Sequence, residues 1–321
     1  MVTEALRHNL AFATERLAER RTAAEVDAAR GLFFPSLTLE SRYSEQGGTL
    51  NLGDLLNPVY ARLDIPARVD ATLPLAHESR VRLTQSLFDE TIRHNYRLAG
   101  QRHVAQRYHR LAAARRLAAD VQIAYVSLAA ARSAAAVHES SLGLVTENER
   151  VAERLLEAGR ATRDALFRAR AERSDVAQQL ADARERVDAA ARALNRLLGR
   201  PLDTPIEAIP DTALRFELTI SEDSAVAAAL ARREELAELD AGIGAAEAAE
   251  GIATAAFLPS VALAVDYGFQ GRDLRFDRNS DYWVASVVVS WNLFNGGRDL
   301  GRRSAAQAEA ERTRVARRDL E

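Results

Sequence analysis

Apolar side chains recur at every second position in four short stretches of this chain, and at every third or fourth position in the long stretches between them. Leu37, Leu39 and Tyr43 alternate with Thr38, Glu40 and Arg42, and Val81, Leu83 and Leu87 with Arg82, Thr84 and Ser86. Val261, Leu263, Val265, Tyr267 and Phe269 share one face of a third stretch, and Trp283, Val287, Val289, Trp291 and Leu293 one face of a fourth. A period of two predicts four strands, each with an apolar and a polar side.

The helical period is longest between about Glu90 and Leu156, where there is no proline and Val104, Tyr108, Leu111, Leu117, Val121, Tyr125 and Leu128 keep mostly three-and-four spacing. At ~1.5 Å per residue this predicts a rod on the order of 100 Å long. A return helix is expected over Thr162 to Leu198, where Val176, Leu180, Ala183, Val187, Ala191, Leu194 and Leu198 stay close to a heptad seam. Asp182 with Arg186, and Asp188 with Arg192, are placed for ion pairs along its surface. Gly199 and Pro201 end it, a Pro-rich irregular stretch runs to about Ser221, and an Ala-rich helix follows from about Glu222 to Ala255. The outbound and return lengths match, so the return helices can lie along the outbound one as part of an elongated helical tube.

Two segments read alike. Phe33-Phe34-Pro35-Ser36-Leu37-Thr38-Leu39 corresponds to Phe257-Leu258-Pro259-Ser260-Val261-Ala262-Leu263 at an offset of 224 residues, which also pairs Tyr43 with Tyr267, Gln46 with Gln270 and Gly47 with Gly271. Ser86-Leu87-Phe88-Asp89 corresponds to Asn292-Leu293-Phe294-Asn295 at an offset of 206. Each copy therefore runs helix, strand, loop, strand, helix. The first copy is longer by the Gly/Asn/Pro-rich stretch from Gly47 to Pro74, which reads as a loop.

Strands of about ten residues with one apolar and one polar face fit a membrane β-barrel, and by alternation alone they fit equally an amphipathic sheet on a soluble core. Four strands cannot close a barrel, and an unclosed sheet in lipid leaves backbone groups unpaired. A membrane sheet would therefore need strands from several chains.

Composition narrows the class. Apolar residues make up 47% and aromatics only 6%, which suits long Ala-rich helices rather than a thick globular core. All 43 basic residues counted as Lys plus Arg are arginine and nearly balance 46 acids, leaving a net charge of -3 and no overall attraction to nucleic acid. The run from Arg93 to Arg116 holds seven arginines but only Tyr96 and Tyr108 as aromatics, and reads as a charged helix face. There is no cysteine, so disulfides, thiolate metal sites and a cysteine nucleophile are excluded. The six histidines lack metal-ligand spacing, and Gly296-Gly297 lacks the Lys-Ser/Thr of a phosphate loop, so neither metal nor cofactor nor catalysis is expected. No apolar run is long enough for a membrane-spanning helix. The start MVTEALRHNL has no signal-peptide centre and the chain stops inside a helical pattern at Arg312 to Glu321, so it reads as a fragment at both ends.

Between the long legs lies Leu156-Glu157-Ala158-Gly159-Arg160-Ala161-Thr162-Arg163-Asp164. Gly159 suits a left-handed helix end and Thr162 a helix cap, and an ordinary helical hairpin accounts for both.

Together the repeated F-x-P-S-x-x-L strand starts, the L-F-[DN] and L-F-N-G-G strand ends, Leu197-Leu198-Gly199-Arg200-Pro201 and the 157–164 turn resemble the TolC-like outer-membrane efflux proteins, over nearly all 321 positions. The resemblance implies a membrane α+β fold. Long antiparallel helices would form a periplasmic α-barrel, and four strands per protomer would join a twelve-stranded outer-membrane barrel in a homotrimer. It divides the chain into an incomplete periplasmic helix (1–31), a first barrel hairpin (32–89), a long helical hairpin (90–198), an equatorial segment (199–221), a periplasmic helix (222–256), a second barrel hairpin (257–294) and the start of a second long helix (295–321). A second tip turn, expected about 71 residues beyond Phe294, is missing.

The implied partners are outer-membrane lipid, a periplasmic membrane-fusion adaptor and, through it, an inner-membrane transporter. The implied role is a passive conduit for small molecules or secreted proteins in tripartite efflux or type I secretion. Ala158, Gly159 and Arg160 are then expected at the adaptor contact, with Thr162 and Asp164 fixing the turn or holding the tip closed. The rival reading is a periplasmic adaptor or an elongated coiled-coil scaffold, which would carry one hairpin beside a compact all-β domain rather than two equivalent strand-helix units.

Overall fold

The computed structural model describes residues 1–44, 52–64, 77–207, 220–271 and 276–321. Their elements run α1 (Val2–His8), α2 (Leu10–Gly31), β1 (Ser36–Tyr43), α3 (Leu52–Arg62), β2 (His77–Phe88), α4 (Glu90–Glu157), α5 (Arg163–Leu198), α6 (Glu222–Arg232), α7 (Glu234–Ala255), β3 (Ser260–Gly271), β4 (Asp281–Ser290) and α8 (Arg298–Leu320). The repeat partners Gln46 and Gly47, and most of the Pro-rich stretch before Ser221, lie outside the described residues. The chain divides into two compact units. One comprises Met1–Thr22, Val104–Asp240 and Leu320–Glu321, the other Ala23–His103 and Ala241–Asp319.

The first unit is helical. Its core gathers Ala5 and Phe12 from α1 and α2, Leu117, Val121, Tyr125 and Leu128 from α4, Leu194 and Leu198 from α5, and Ile206 from the segment beyond. The α4 residues are spaced four, four and three, which keeps one stripe of that helix turned inward. At ~1.5 Å per residue, its 68 residues make a helix about 100 Å long. Asn195 is fully buried and has three hydrogen bonds. Its Nδ2 donates to the carbonyls of Leu202 (2.7 Å) and Thr204 (2.9 Å), and its Oδ1 accepts from Arg200 Nε at 2.7 Å. This folds the 199–206 segment back over the end of α5 and sets Ile206 in the core. Gly199 takes φ 69°, and a Cβ there would lie 2.3 Å from the carbonyl oxygen of His8, so both conformation and contact demand glycine.

Where one helix was expected over 222–255, there are two. Arg233 is extended between α6 and α7, with Arg232 closing the first helix and Glu234 and Glu235 opening the second. Basic residues at a helix C-terminus and acids at an N-terminus favour that break through the helix dipole. Asn9 breaks the first helix in the same way: its Oδ1 caps α2 by accepting from Phe12 N at 2.9 Å, while its Nδ2 donates to Leu197 O. The ion pairs of α5 also differ from the intrahelical ones expected. Arg170 reaches Glu149 and Glu153, Arg173 reaches Glu149, and Arg184 reaches Glu139, all on α4. Neither Asp182 with Arg186 nor Asp188 with Arg192 is paired among the described residues, and the ion pairs run instead from other arginines of α5 to α4.

The second unit holds an antiparallel sheet in the order β1-β2-β3-β4. Its strands begin at equivalent places in the two repeats, Ser36 and Ser260, each directly after proline. Two details depart from the alternation expected from sequence. The β2 to β3 register slips between Ser86 and Phe88, so Phe88 rather than Leu87 faces Val261, as a bulge allows. β4 stops at Ser290, opposite Ser260, because β3 offers no partner beyond its first residue, and Trp291 and Leu293 lie outside the strand. Within the stretch read as a loop, α3 forms an 11-residue helix despite Pro58.

Helix α7 has glycines at 244 and 251 that receive Gln101 and His94 of α4, two pairs one heptad apart. His94 is mostly buried and its Nδ1 has no hydrogen-bond partner. Burial first, and then the charge of Arg93, hold its pKa below the ordinary 6.5, against the raising effect of Glu90.

Two outcomes follow. Asn195→Ala leaves two part-buried carbonyls and a guanidinium short of partners and should cost about 1–3 kcal/mol in a denaturation experiment. Because folded His94 resists protonation, the native state should lose stability as pH falls below 6.5 and be unaffected by this group above it. The acidic-side slope of melting temperature should shrink in His94→Gln.

Candidate functional site

Two places bear on function, one in each unit. The first is the turn between α4 and α5. Gly159 takes φ 67°. Gly159 N donates to Leu156 O at 3.0 Å, and Arg160 N donates to Leu155 O at 2.8 Å. These two bonds form a Schellman motif, which satisfies carbonyls that the end of a helix would leave free. Thr162 is extended, and its Oγ1 accepts from Ala165 N at 3.3 Å to cap α5. Asp164 lies in the first turn of α5, favourably placed for the helix dipole, and makes no described side-chain hydrogen bond.

Ala158, Gly159, Arg160, Thr162 and Asp164 all lie exposed in this one turn. A Cβ on Gly159 would meet nothing within 4 Å, so the constraint there is conformational rather than steric. Two features next to the turn were missed by reading the sequence alone. Arg170 donates to Glu149 (3.2 Å) and Glu153 (2.7 Å), and Arg173 lies 2.7 Å from Glu149, together clasping the two legs. Glu149 and Glu153 at i,i+4 facing Arg170 and Arg173 at i,i+3 was the available signal. Phe167 is 60% exposed one turn into α5, beside the buried Leu166.

The second place is the sheet. One face carries the cross-strand rows Leu39-Val81-Tyr267-Trp283, Leu37-Leu83-Val265 and Leu263-Val287, ending at Phe88-Val261-Val289. Among the described residues no element covers this face: Leu39 is 77% exposed, Trp283 73% and Val287 65%. A continuous uncovered apolar surface is costly in water and stable against lipid. Aromatic residues cluster at both ends, with Tyr43, Tyr267, Phe269 and Trp283 at one and Phe33, Phe34, Phe257 and Trp291 at the other. From Trp283 to the end of β4 at Ser290 is roughly 23 Å at ~3.3 Å per residue, with Trp291 next in the chain, close to the ~25 Å apolar band between the aromatic girdles of membrane barrels.

The opposite face carries charged residues bonded across strands, with Val284 and Val288 of β4 beside them. Arg82 holds Asp266 in a bidentate pair, Nε to Oδ1 at 2.7 Å and Nη2 to Oδ2 at 2.9 Å. Arg80 donates to Glu40 at 2.6 and 2.9 Å and to Glu78 at 3.0 Å, and Tyr282 OH donates to Glu78 at 3.1 Å. Gly268 stands opposite Arg80, and a Cβ there would lie 2.8 Å from the Cβ of Arg80. β1 and β4 are the sheet's edges, each with one side unpaired among the described residues.

Part of the basic run of α4 is paired with acids of other helices. Arg110 pairs with Glu19, Arg115 with Glu234, and His109 lies between Glu238 (3.1 Å) and Glu15 (3.6 Å) at a cleft of about 500 Å³. This is the charged helix face expected of the run.

An open four-stranded sheet with a lipid-type face and long antiparallel helices defines the protomer of an outer-membrane channel. A family model described as outer membrane efflux protein matches residues 1–200 and 225–320, and the chain belongs to that family. The family is one of transport channels, which generally form trimers and work with efflux partners, and homology to it implies the outer membrane. A comparison with curated proteins finds no sequence match.

Among solved structures, CusC, described as forming a transmembrane channel, superposes with a TM-score of 0.81 at 20% identity, over 98% of this chain and 70% of that one. The outer membrane protein VceC of Vibrio cholerae gives 0.76 at 20% identity, over 99% and 74%. The open-state MtrE outer membrane channel of Neisseria gonorrhoeae gives 0.77 at 22% identity, over 98% and 68%. At these identities the likeness is one of fold.

The turn is testable by itself. Thr162→Ala should cost about 1 kcal/mol and raise amide exchange at Arg163 to Ala165 more than in the body of α5. Gly159→Val, a β-branched residue forced into the left-handed region, should do the same at the end of α4.

Proposed function

We propose that three copies of this chain close a twelve-stranded barrel in the outer membrane, and that their helices form a periplasmic tunnel serving as a passive conduit for small molecules or secreted proteins. Segments 32–89 and 257–294 are the membrane hairpins in this reading, and 90–198 is the tunnel wall. The observation that carries it is a sheet with one long uncovered apolar face and two unpaired edges. Lipid satisfies the face, but edges in hydrocarbon must find backbone partners, and identical neighbours supply them.

The chain does no covalent chemistry in this reading. A membrane-fusion adaptor docks at the tip through Ala158, Gly159 and Arg160, with Thr162 and Asp164 shaping the turn and Phe167 adding an apolar contact. An inner-membrane transporter, joined through the adaptor, supplies the energy for tripartite efflux or type I secretion.

Expressed in a Gram-negative host, the protein should fractionate with outer membranes and run as an SDS-resistant trimer. A soluble monomer would instead make it an adaptor or a scaffold. Gly159→Trp should abolish export while leaving trimers in the membrane; unchanged export would remove the tip from the adaptor contact.

A further inference from the structure

The polar face of the sheet carries more charge than solubility in a lumen requires, and the charge is arranged. The described strands place Glu40 and Arg42 of β1, Glu78, Arg80 and Arg82 of β2, and Asp266 of β3 on this face, three acids against three bases. They occupy adjacent rows: Arg42 opposite Glu78, Glu40 opposite Arg80, and Arg82 opposite Asp266. The other positions on the same face are uncharged: Thr38, Gly268, Gln270, Tyr282 and Val284 complete the charged rows, and Ser36, Thr84, Ala264 and Ser286 form the next one. The charges therefore form a narrow band rather than a general polar coat. Asp266 is 14% exposed, so it is largely covered, whereas Arg82 keeps 35% of its side chain accessible beside it.

We infer that this band sets the ionic preference of the sheet's lumen, and that its internal pairing keeps that preference weak, so that cargo of either sign passes. The inference rests on the reading above, in which the polar face lines the lumen. Rings of charged side chains set the ionic preference of pores, and a ring presenting only one sign favours the opposite ion. Here the guanidiniums of Arg80 and Arg82 are bonded to carboxylates, and Arg42 is offset by the third acid of the band. The field of each falls off as that of a pair rather than a charge. Gly268 gives Arg80 its place in the band, since any side chain there would displace it.

The test is the reversal potential of the purified protein in planar bilayers under a KCl gradient at or below 0.1 M, where the Debye length is about 10 Å or more. The unsubstituted channel should discriminate weakly between K⁺ and Cl⁻. Asp266→Asn frees one positive charge per chain and should shift the permeability ratio toward Cl⁻ by ~3-fold, and Arg82→Gln should shift it toward K⁺ by a similar factor. The double swap Arg82→Asp with Asp266→Arg keeps the pair and should return the ratio to its starting value. It also serves as the folding control, since a purely structural pair would be restored without either single variant having changed selectivity. Channels that insert with normal conductance but show no shift in either single variant overturn the inference and leave the channel reading intact. No channel from the unsubstituted protein overturns both.

Discussion

A four-stranded sheet with unpaired edges and an uncovered apolar face cannot be left as it is in water or in lipid. In water, Leu39, Trp283 and Val287 would stay hydrated at a cost that grows with area, and in lipid the edge amides and carbonyls of β1 and β4 would have no partner. Closure with further copies inside a bilayer removes both penalties together. The polar face then becomes the inside of a pore by the geometry of the pleat, because successive side chains must point to opposite sides.

The helical unit meets a different problem, which is to hold long, Ala-rich helices in register with little bulky side chain to bury. The core residues of α4 and α5 form a narrow stripe, and polar devices do much of the aligning. Asn195 ties the chain beyond α5 back onto that helix, Asn9 joins α2 to the end of α5, and Arg170 spans two carboxylates of α4. The exposed arginine pairs contribute little stability each, and their value lies in matching one helix face to another.

Much of this was legible in sequence because it is periodic or conformationally exclusive. Alternation identified the strands, and the duplicated Phe-x-Pro-Ser starts related the two hairpins. Gly159 takes the left-handed conformation expected of it, Gly199 ends α5 as expected, and Thr162 caps α5. What escaped notice depends on neighbours: the breaks at Asn9 and Arg233 within helical composition, the bulge that exchanges Leu87 for Phe88, the helix α3 inside a Gly/Pro-rich stretch, and the clasp of Arg170. The bulge and the clasp are decided by what a distant segment offers, and the helix breaks and α3 by small local preferences that composition and period do not separate.

The sequence by itself determined which residues could share a face, where the chain must turn, and that four strands of this pattern need lipid or a covering layer. Hydrophobic period and glycine conformation are properties of neighbours along the chain. Only the tertiary structure decided which charges meet. Arg82 and Asp266 are 184 residues apart and their pairing depends on the β2 to β3 register. A shift of one residue in that register would turn every side chain of a strand to the other face, so no local signal could have assigned them to one another.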